Sequence, residues 1–422
     1  MRKNSVLIAL LTIAFVYSFA SEKPKNQIST SKVSKIESGE KKLRSFTLYE
    51  QNLIQARKLA NNSDSIQMKL KEVYKKADKM LLEPDVAVTQ KSSEAAAYVN
   101  GDMHAYCSLS KYFWPDSLDA TKPWIRKDGK TNEAGVIKFD SRRMYKMADR
   151  VWNFTLAWWF SGKQEYAQAA VSQLRVWYIN EATKMNPDMD FAQFVPNDPK
   201  LGRGAYYGII EANSYPNVLN AVAMLETSKF WNKDDDAALK SWIGKFSVWL
   251  QQSENGKKES QMTNNHGVYY DILLSSCLLY IGEKQQAYDV LSQVPTLRMA
   301  TQIEPDGSMP KELDRANPWG YTGMNLRGFV NLCILGDKVG LNLWEIRAPQ
   351  TVGLKTAIDF VNPYILGTKK WEYKEKVNPS DVYEVYLYTQ DKYPESKKML
   401  NGLSALKDKN FLMNLFYINF QK

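Results

Sequence analysis

The chain has 422 residues, 44% of them hydrophobic, 12% aromatic and 24% charged, with a formal net charge of +10. This excludes a disordered chain and allows one large buried core or two modest ones, and no run beyond the N-terminus is long and apolar enough to span a bilayer. Cys107, Cys277 and Cys333 show no CxxC or Cys/His spacing and the two histidines lie far apart, so no metal site and no cofactor is expected.

The N-terminus, MRKNSVLIALLTIAFVYSFASEKPKNQ, combines a basic start (Arg2, Lys3), an apolar run from Val6 to Tyr17 and a small-x-small exit at Ser18-Phe19-Ala20. That is the pattern of a cleaved secretory signal, residues 1–20, with a core too short for a membrane span. The mature chain is expected to start near Ser21, to be periplasmic or secreted, and to have no membrane attachment, since no cysteine follows the exit for a lipid anchor. Residues 21–44 are polar and lysine-rich and read as a flexible leader.

From 45 to 422 a single domain is expected, and its periodicity is helical. In DDAALKSWIGKFSVWLQQ the apolar residues Leu239, Trp242, Ile243, Phe246, Trp249 and Leu250 recur at three and four, one face of a helix. Similar patterns predict helices over 46–61, 64–82, 141–160, 164–181, 208–226, 267–281, 284–293 and 323–335. Two segments, WWFSGKQEYAQAAVSQL and LLYIGEKQQAYDVLSQV, resemble each other: an apolar helix ends at Gly162 or Gly282, where the chain can turn through a positive φ, and a second helix follows. CILGDKVGLNLW is a third turn of related type. Recurring hairpins predict an all-α fold, an (α/α) toroid or barrel that is closed or incomplete.

Between the helices, 99–140, 185–207 and 296–322 are rich in Pro, Gly, Asn, Asp and aromatics, and loops of that length are usually functional. From about 345 helix-like segments mix with aromatic alternation (KKWEYKEKVNPSDVYEVYLY), which either completes the toroid or forms an appendage.

Four stretches carry candidate chemistry. In QMTNNHGVYYD, Asn264 or Asn265 is an N-cap, and His266 lies in the first turn, where the helix field disfavours its charged form. The histidine is either a general base or a capping residue. In EPDGSMPKELDRANPWGYTGMN, Arg315 and Tyr321 stand six apart around Trp319. A nearby arginine favours the phenolate of a tyrosine that ordinarily ionises near pH ~10; the alternative is an arginine paired with Glu312 or Asp314 and a tyrosine packed on Trp319. In YVNGDMHAYCSLSKYFWPD, His104, Tyr106, Tyr112, Phe113 and Trp114 form either a sugar-stacking wall or a buried aromatic plug. In LGRGAYYGIIEAN, Arg203 precedes a helix holding Tyr207 and Glu211, and either binds a carboxylate or pairs with Glu211. The positive charge, with 12 Trp and 24 Tyr, suits an anionic polysaccharide as partner as well as it suits plain solubility. Nucleic acid is not expected, since no basic recognition motif is present.

The segments GDMHAYCSLSKYFWPD…WIRKDGKTNE, GIIEAN, NNHGVYYD and DGSMPKELDRANPWGYTGMNL resemble, in this order, the motifs of the alginate lyase superfamily of polysaccharide lyases, over roughly 95–340. The resemblance implies a helical toroid and β-elimination on uronate polymers without metal. It also implies that Asn265 binds the uronate carboxylate, that His266 is a base or a partner in that neutralisation, that Tyr321 moves the proton, and that Arg315 tunes Tyr321. The Arg-to-Tyr spacing and the residues between them differ slightly from those of the classical members. Asn264, His104, Tyr106, Trp114, Arg203, Tyr207, Glu211 and Trp319 complete the expected binding surface. Alginate is the expected substrate, with glucuronan or another polyuronate as the alternative. The rival classes are a helical-toroid glycoside hydrolase, which needs a pair of carboxyls flanking the bond, and a secreted glycan-binding protein.

Overall fold

The structure, a computed structural model, describes residues 43–345 and 352–417. The expected signal peptide and all of the leader except Leu43 and Arg44 lie outside the described residues. Arg44 is already docked, its Nη2 2.6 Å from Glu226 Oε1.

Helices α1 (Glu50–Asn61) and α2 (Asp64–Leu81) come first, with Ser63 capping α2 by accepting from Ile66 N–H at 3.3 Å. The short α3 (Ser93–Tyr98), strands β1 (Cys107–Leu109), β2 (Phe113–Trp114) and β3 (Ile125–Arg126), and α4 (Glu133–Val136) follow. Helices α5 (Ser141–Ser161) and α6 (Gln164–Leu174) are separated from α7 (Tyr215–Leu225) by strand β4 (Phe191–Phe194) and a 3-10 segment, Tyr206–Ser214. Next come α8 (Lys233–Gln252), α9 (Glu254–Ser260), α10 (Asn265–Ile281) and α11 (Lys284–Ser292). The short α12 (Ala300–Gln302) and α13 (Pro310–Leu313) lead into α14 (Pro318–Val339), and the chain ends in α15 (Leu354–Ile365), α16 (Ser380–Thr389), α17 (Pro394–Gly402) and α18 (Phe411–Phe416).

Three of these helices stop at a left-handed glycine: Gly162 (φ 72°), Gly282 (φ 96°) and Gly340 (φ 85°). Only glycine takes that conformation without a Cβ clash, and so the hairpin turns are written into the sequence. The helices build two layers. In the inner one α5 packs on α7, α7 on α10, α10 on α14 and α14 on α16; outside it α6 covers α5, α8 and α11 cover α10, and α17 covers α16. Inner helices meet neighbours on every side, and α7 is accordingly buried at every position but Asn217.

The C-terminal part completes the ring rather than forming an appendage. Phe416 of α18 stacks on Phe160 and tilts against Trp152, both on α5, and α18 also packs on α1. All three cysteines are buried and free. The strands are confined to the long connections. β1 runs parallel to β4, pairing Cys107 with Phe191 and Leu109 with Phe194, while β2 and β3 form a small antiparallel ribbon. Where the β1–β4 register slips, Gln193 adopts φ 48°, a left-handed conformation that is uncommon outside glycine. It is held by Ser108 Oγ, which accepts from Gln193 N–H at 2.7 Å, and by Ser110 Oγ, which donates to the Gln193 carbonyl at 2.5 Å.

Candidate active site

The long connections and the N-terminal ends of α10 and α14 enclose a cleft of ≈ 830 Å³. Of the residues singled out by sequence it is lined by Asn264, Asn265, His266, Arg315, Tyr321, Tyr207 and Glu211. Five basic side chains reach it, Lys111, Arg126, Arg142, Arg315 and Arg327, against the carboxyls of Glu133 and Glu211, so its lining carries an excess of positive charge.

Asn264 is the N-cap of α10, its side chain accepting from His266 N–H at 3.2 Å. Asn265 is buried and clasped by Glu312, whose two oxygens accept from the Asn265 backbone N–H and from Nδ2, each at 2.7 Å. Its Oδ1 is left buried without a partner among the described residues. Burial pushes the Glu312 carboxyl up, against the two Asn265 donors, which pull it down. His266 is part-buried, with Nδ1 2.7 Å from Glu259 Oε1, so the capping function at this helix end belongs to Asn264 and the imidazole is bound to a carboxylate.

Across the cleft, Arg315 donates from Nη2 to Tyr321 Oη at 2.8 Å and lies over the same ring, 3.8 Å from its centroid. The arginine pairs with neither Glu312 nor Asp314 but with Asp128, at 3.0 Å (Nη2) and 3.3 Å (Nε). Burial pushes the Asp128 carboxyl up, but hydrogen bonds from Arg315 and from Ala316 N–H outweigh it and hold the group below its usual range. Tyr321 Oη also lies 3.1 Å from Tyr112 Oη. Burial and the Tyr112 hydrogen bond raise the Tyr321 phenol well above its ordinary value, and Arg315 only partly opposes them. The arginine thus favours the phenolate as expected, but burial and Tyr112 oppose it and prevail.

Glu211 is buried on the 3-10 segment, its Oε2 accepting from Tyr106 (2.7 Å) and Ser108 (2.5 Å). Burial pushes its carboxyl up to about 7, although both hydroxyls, Lys111 and Gln193 act to lower it. Tyr207 Oη sits 3.0 Å from Ser110 Oγ.

Five expected binding residues lie outside the cleft lining. Tyr106 is fully buried beneath it, acting as a plug that holds Glu211. His104 has Nδ1 2.7 Å from the Lys184 carbonyl. Trp114 donates from Nε1 to the Lys130 carbonyl at 3.0 Å and is spent on closing the β2–β3 ribbon. Trp319 is fully buried, edge-on to Trp371 and donating to the Asn378 carbonyl at 2.8 Å, because the start of α14 inserts under the C-terminal segment. Arg203, with its side chain 72% exposed, lies over Phe191 and 3.7 Å from Asp190, not on Glu211. Tyr112 and Phe113, expected as part of an aromatic wall or plug, do line the cleft. Sequence reasoning passed over Asp128 and Glu259, whose only signal was membership of a long loop or of the turn before α10.

The family described as alginate lyase matches residues 87–371 of this chain. Among solved structures, an alginate lyase from Bacteroides ovatus superposes with a TM-score of 0.79 at 28% identity, covering 85% of this chain and 95% of that one. Alginate lyase A1-III from Sphingomonas species A1 gives a TM-score of 0.46 at 13% identity, covering 76% of this chain and 86% of that one. No curated protein matches the chain.

Proposed function

We propose that this chain, which belongs to the alginate lyase family and is a polysaccharide lyase, cleaves 4-linked uronate polymers, alginate first among them, by β-elimination. The observation that carries this reading is the meeting of Asn265 and His266 with Arg315 and Tyr321 in one cleft with a largely basic lining.

In a 4-linked uronate the C5 hydrogen is poorly acidic while the neighbouring carboxylate is charged, because removing the proton piles negative charge onto it. Donors aimed at the carboxylate stabilise the enolate-like state. Asn265 keeps one amide hydrogen after serving Glu312, and the Nη1 of Arg315 has no partner among the described residues. A base then takes the C5 proton and an acid protonates the departing O4. Tyr321, held neutral by burial and Tyr112, starts as the acid, and His266 is the base. That division suits a guluronate residue, in which C5–H and O4 lie on opposite faces. For mannuronate, where they share a face, Tyr321 serves both steps: after losing its own proton it takes the C5 proton as a phenolate and passes that proton to O4, and Arg315 steadies the phenolate before the first step and after the second.

The carboxyls weigh against a hydrolase. Glu211 is tied to Tyr106 and Ser108, Glu312 to Asn265, and Asp271 to Arg298 at 2.7 Å. Glu133, the other carboxyl of the lining, is paired with Arg142, so among the described residues no free carboxyl pair lines the cleft. Incubation with polymannuronate, polyguluronate and glucuronan tests the proposal: elimination produces an unsaturated sugar and a rise in near-ultraviolet absorbance. New reducing ends without that rise, or no turnover of any polyuronate, overturns it. The same reading puts the mature enzyme in the periplasm or outside the cell after loss of residues 1–20, which an intact Met1 on the exported protein would contradict.

A further inference from the structure

Glu259 lies in the last turn of α9, and its carboxylate, 1% exposed, stands 2.7 Å from His266 Nδ1. Its second oxygen is buried without a hydrogen-bond partner among the described residues, so His266 is the group that answers this carboxylate. The backbone between the two is clamped. Arg298 donates to the carbonyls of Ser260 (2.7 Å) and Met262 (3.2 Å) while its guanidinium is gripped by both oxygens of Asp271. A Cβ at Gly267 would stand 2.0 Å from the Met262 carbonyl, so the turn packs directly on the first residues of α10. The separation of Glu259 and His266 is therefore fixed by the fold. The other ionisable groups around the pair are Glu312 of α13 and Tyr270 and Asp271 of α10, together with Arg298.

An ionised carboxylate accepts hydrogen bonds and cannot donate them. The Nδ1 facing it must carry hydrogen whether the ring is neutral or charged, which leaves Nε2 as the one ring position that gains or loses a proton.

We propose that Glu259 is a positioning residue for the elimination: it holds His266 as the Nδ1–H tautomer with a bare Nε2 for the C5 proton, and offsets the positive charge that the ring then acquires. This rests on the reading of His266 as the base. In the step itself the C5–H bond breaks and its proton goes to Nε2, the electron pair forms the C4–C5 double bond, and the C4–O4 bond breaks. O4 departs with the Tyr321 proton. The Nδ1 hydrogen stays in place, and Glu259 is not itself protonated.

The chain has two histidines, so a uniformly ring-¹⁵N-histidine-labelled protein gives two imidazole spectra, and loss of one in His266→Ala assigns the other. The expected wild-type spectrum of neutral His266 has hydrogen on Nδ1 and a bare Nε2. Glu259→Gln, which keeps the shape but can donate as well as accept, should mix the two tautomers and lower kcat by roughly 100-fold or more, with KM changed by less than about 3-fold. A wild-type ring protonated on Nε2, or a Glu259→Gln variant with unchanged tautomer and kcat, overturns the proposal. The wild-type spectrum decides even if the variant folds poorly. Should His266→Ala keep full turnover on polyguluronate, it is the reading of His266 that fails. An inactive His266→Ala beside a fully active Glu259→Gln removes the role of Glu259 alone.

Discussion

Replacing Tyr321 by Phe takes away one oxygen and leaves the ring. In the resting protein that oxygen accepts from Arg315 Nη2 at 2.8 Å and shares a hydrogen bond with Tyr112 at 3.1 Å. Arg315 remains anchored by Asp128, and its stacking 3.8 Å above the ring centroid survives. The cost to folding should be only about 1 kcal/mol, the net worth of an ordinary hydrogen bond. The cost to chemistry is of another order. A positioned acid or base contributes about 10²- to 10⁴-fold, which at about 1.4 kcal/mol per decade is roughly 3–5 kcal/mol of transition-state stabilisation. Tyr321→Phe should therefore lose at least about 100-fold in kcat with KM within about 3-fold of wild type, because the carboxylate-binding donors are untouched. The continuous absorbance assay on polymannuronate and polyguluronate reads both parameters, and thermal unfolding checks that the fold is intact. Near-native kcat in a folded Tyr321→Phe protein would refute the assignment of the phenol.

Three further outcomes are expected. His266→Ala should cost about 100-fold or more on polyguluronate and less on polymannuronate, and equal losses on the two polymers would remove the base role confined to one epimer. Glu211, with its carboxyl pushed up to about 7 from an ordinary 4.5, binds a proton more readily folded than unfolded. Its contribution to stability is thus complete below 4.5 and lost as pH rises through 7, a change of order 3 kcal/mol at most. Denaturant unfolding across that window should show the decline, and Glu211→Gln should flatten it; an unchanged pH dependence would contradict the burial argument. Trp319→Ala should lower unfolding stability by about 3–5 kcal/mol, since the indole is fully buried against Trp371. A raised KM in a protein of unchanged stability would instead restore the sugar-stacking role.

The helical ring was legible because its causes are local. Apolar residues at three and four mark a helix face, and Gly162, Gly282 and Gly340 stand where helices must stop. The boundaries missed are those set from elsewhere. The pattern over 164–181 continues through a π-helical turn at Arg175–Ile179, and the one over 208–226 is a 3-10 segment before it becomes α7. Helix α14 starts at Pro318 rather than 323, with Pro at its first position. The tail resisted reading because its aromatics alternate like a strand, yet Trp371 meets Trp319 and Tyr364 edge-on and tilts against Tyr373, while Tyr383, Tyr386 and Tyr388 lie on helix α16.

The site was half legible for a related reason. Asn265, His266, Arg315 and Tyr321 are rare or distinctively spaced groups, and their own chemistry exposes them. Their supports are common residue types whose pairing exists only after folding: Asp128 meets Arg315 across 187 residues, Tyr112 meets Tyr321 across 209 and Glu312 meets Asn265 across 47. The aromatic residues erred in the opposite direction. A tryptophan in a Pro- and Gly-rich loop offers the same sequence whether it faces sugar or core, and burial of Trp319 and Tyr106 was decided by what packs over them.

The supports explain how one cleft can be basic for its substrate and still be built from buried carboxyls. Glu312 lies behind Asn265 and Asp128 behind Arg315, each accepting hydrogen bonds from the group it supports, and Glu259 stands in the same relation to His266 as the tautomer proposed above would have it. A carboxylate in that position costs little in substrate affinity, since its charge is engaged by a donor that stands between it and the polymer. It gains orientation, because an acceptor-only partner permits one arrangement of amide, imidazole or guanidinium and disfavours the rest. Glu211 follows the same logic by another route. It has hydroxyls in place of a cation, and burial shifts it toward the neutral acid. A polyanion approaching the cleft would push that carboxyl further toward its protonated form, so binding of uronate and uptake of a proton at Glu211 should favour each other.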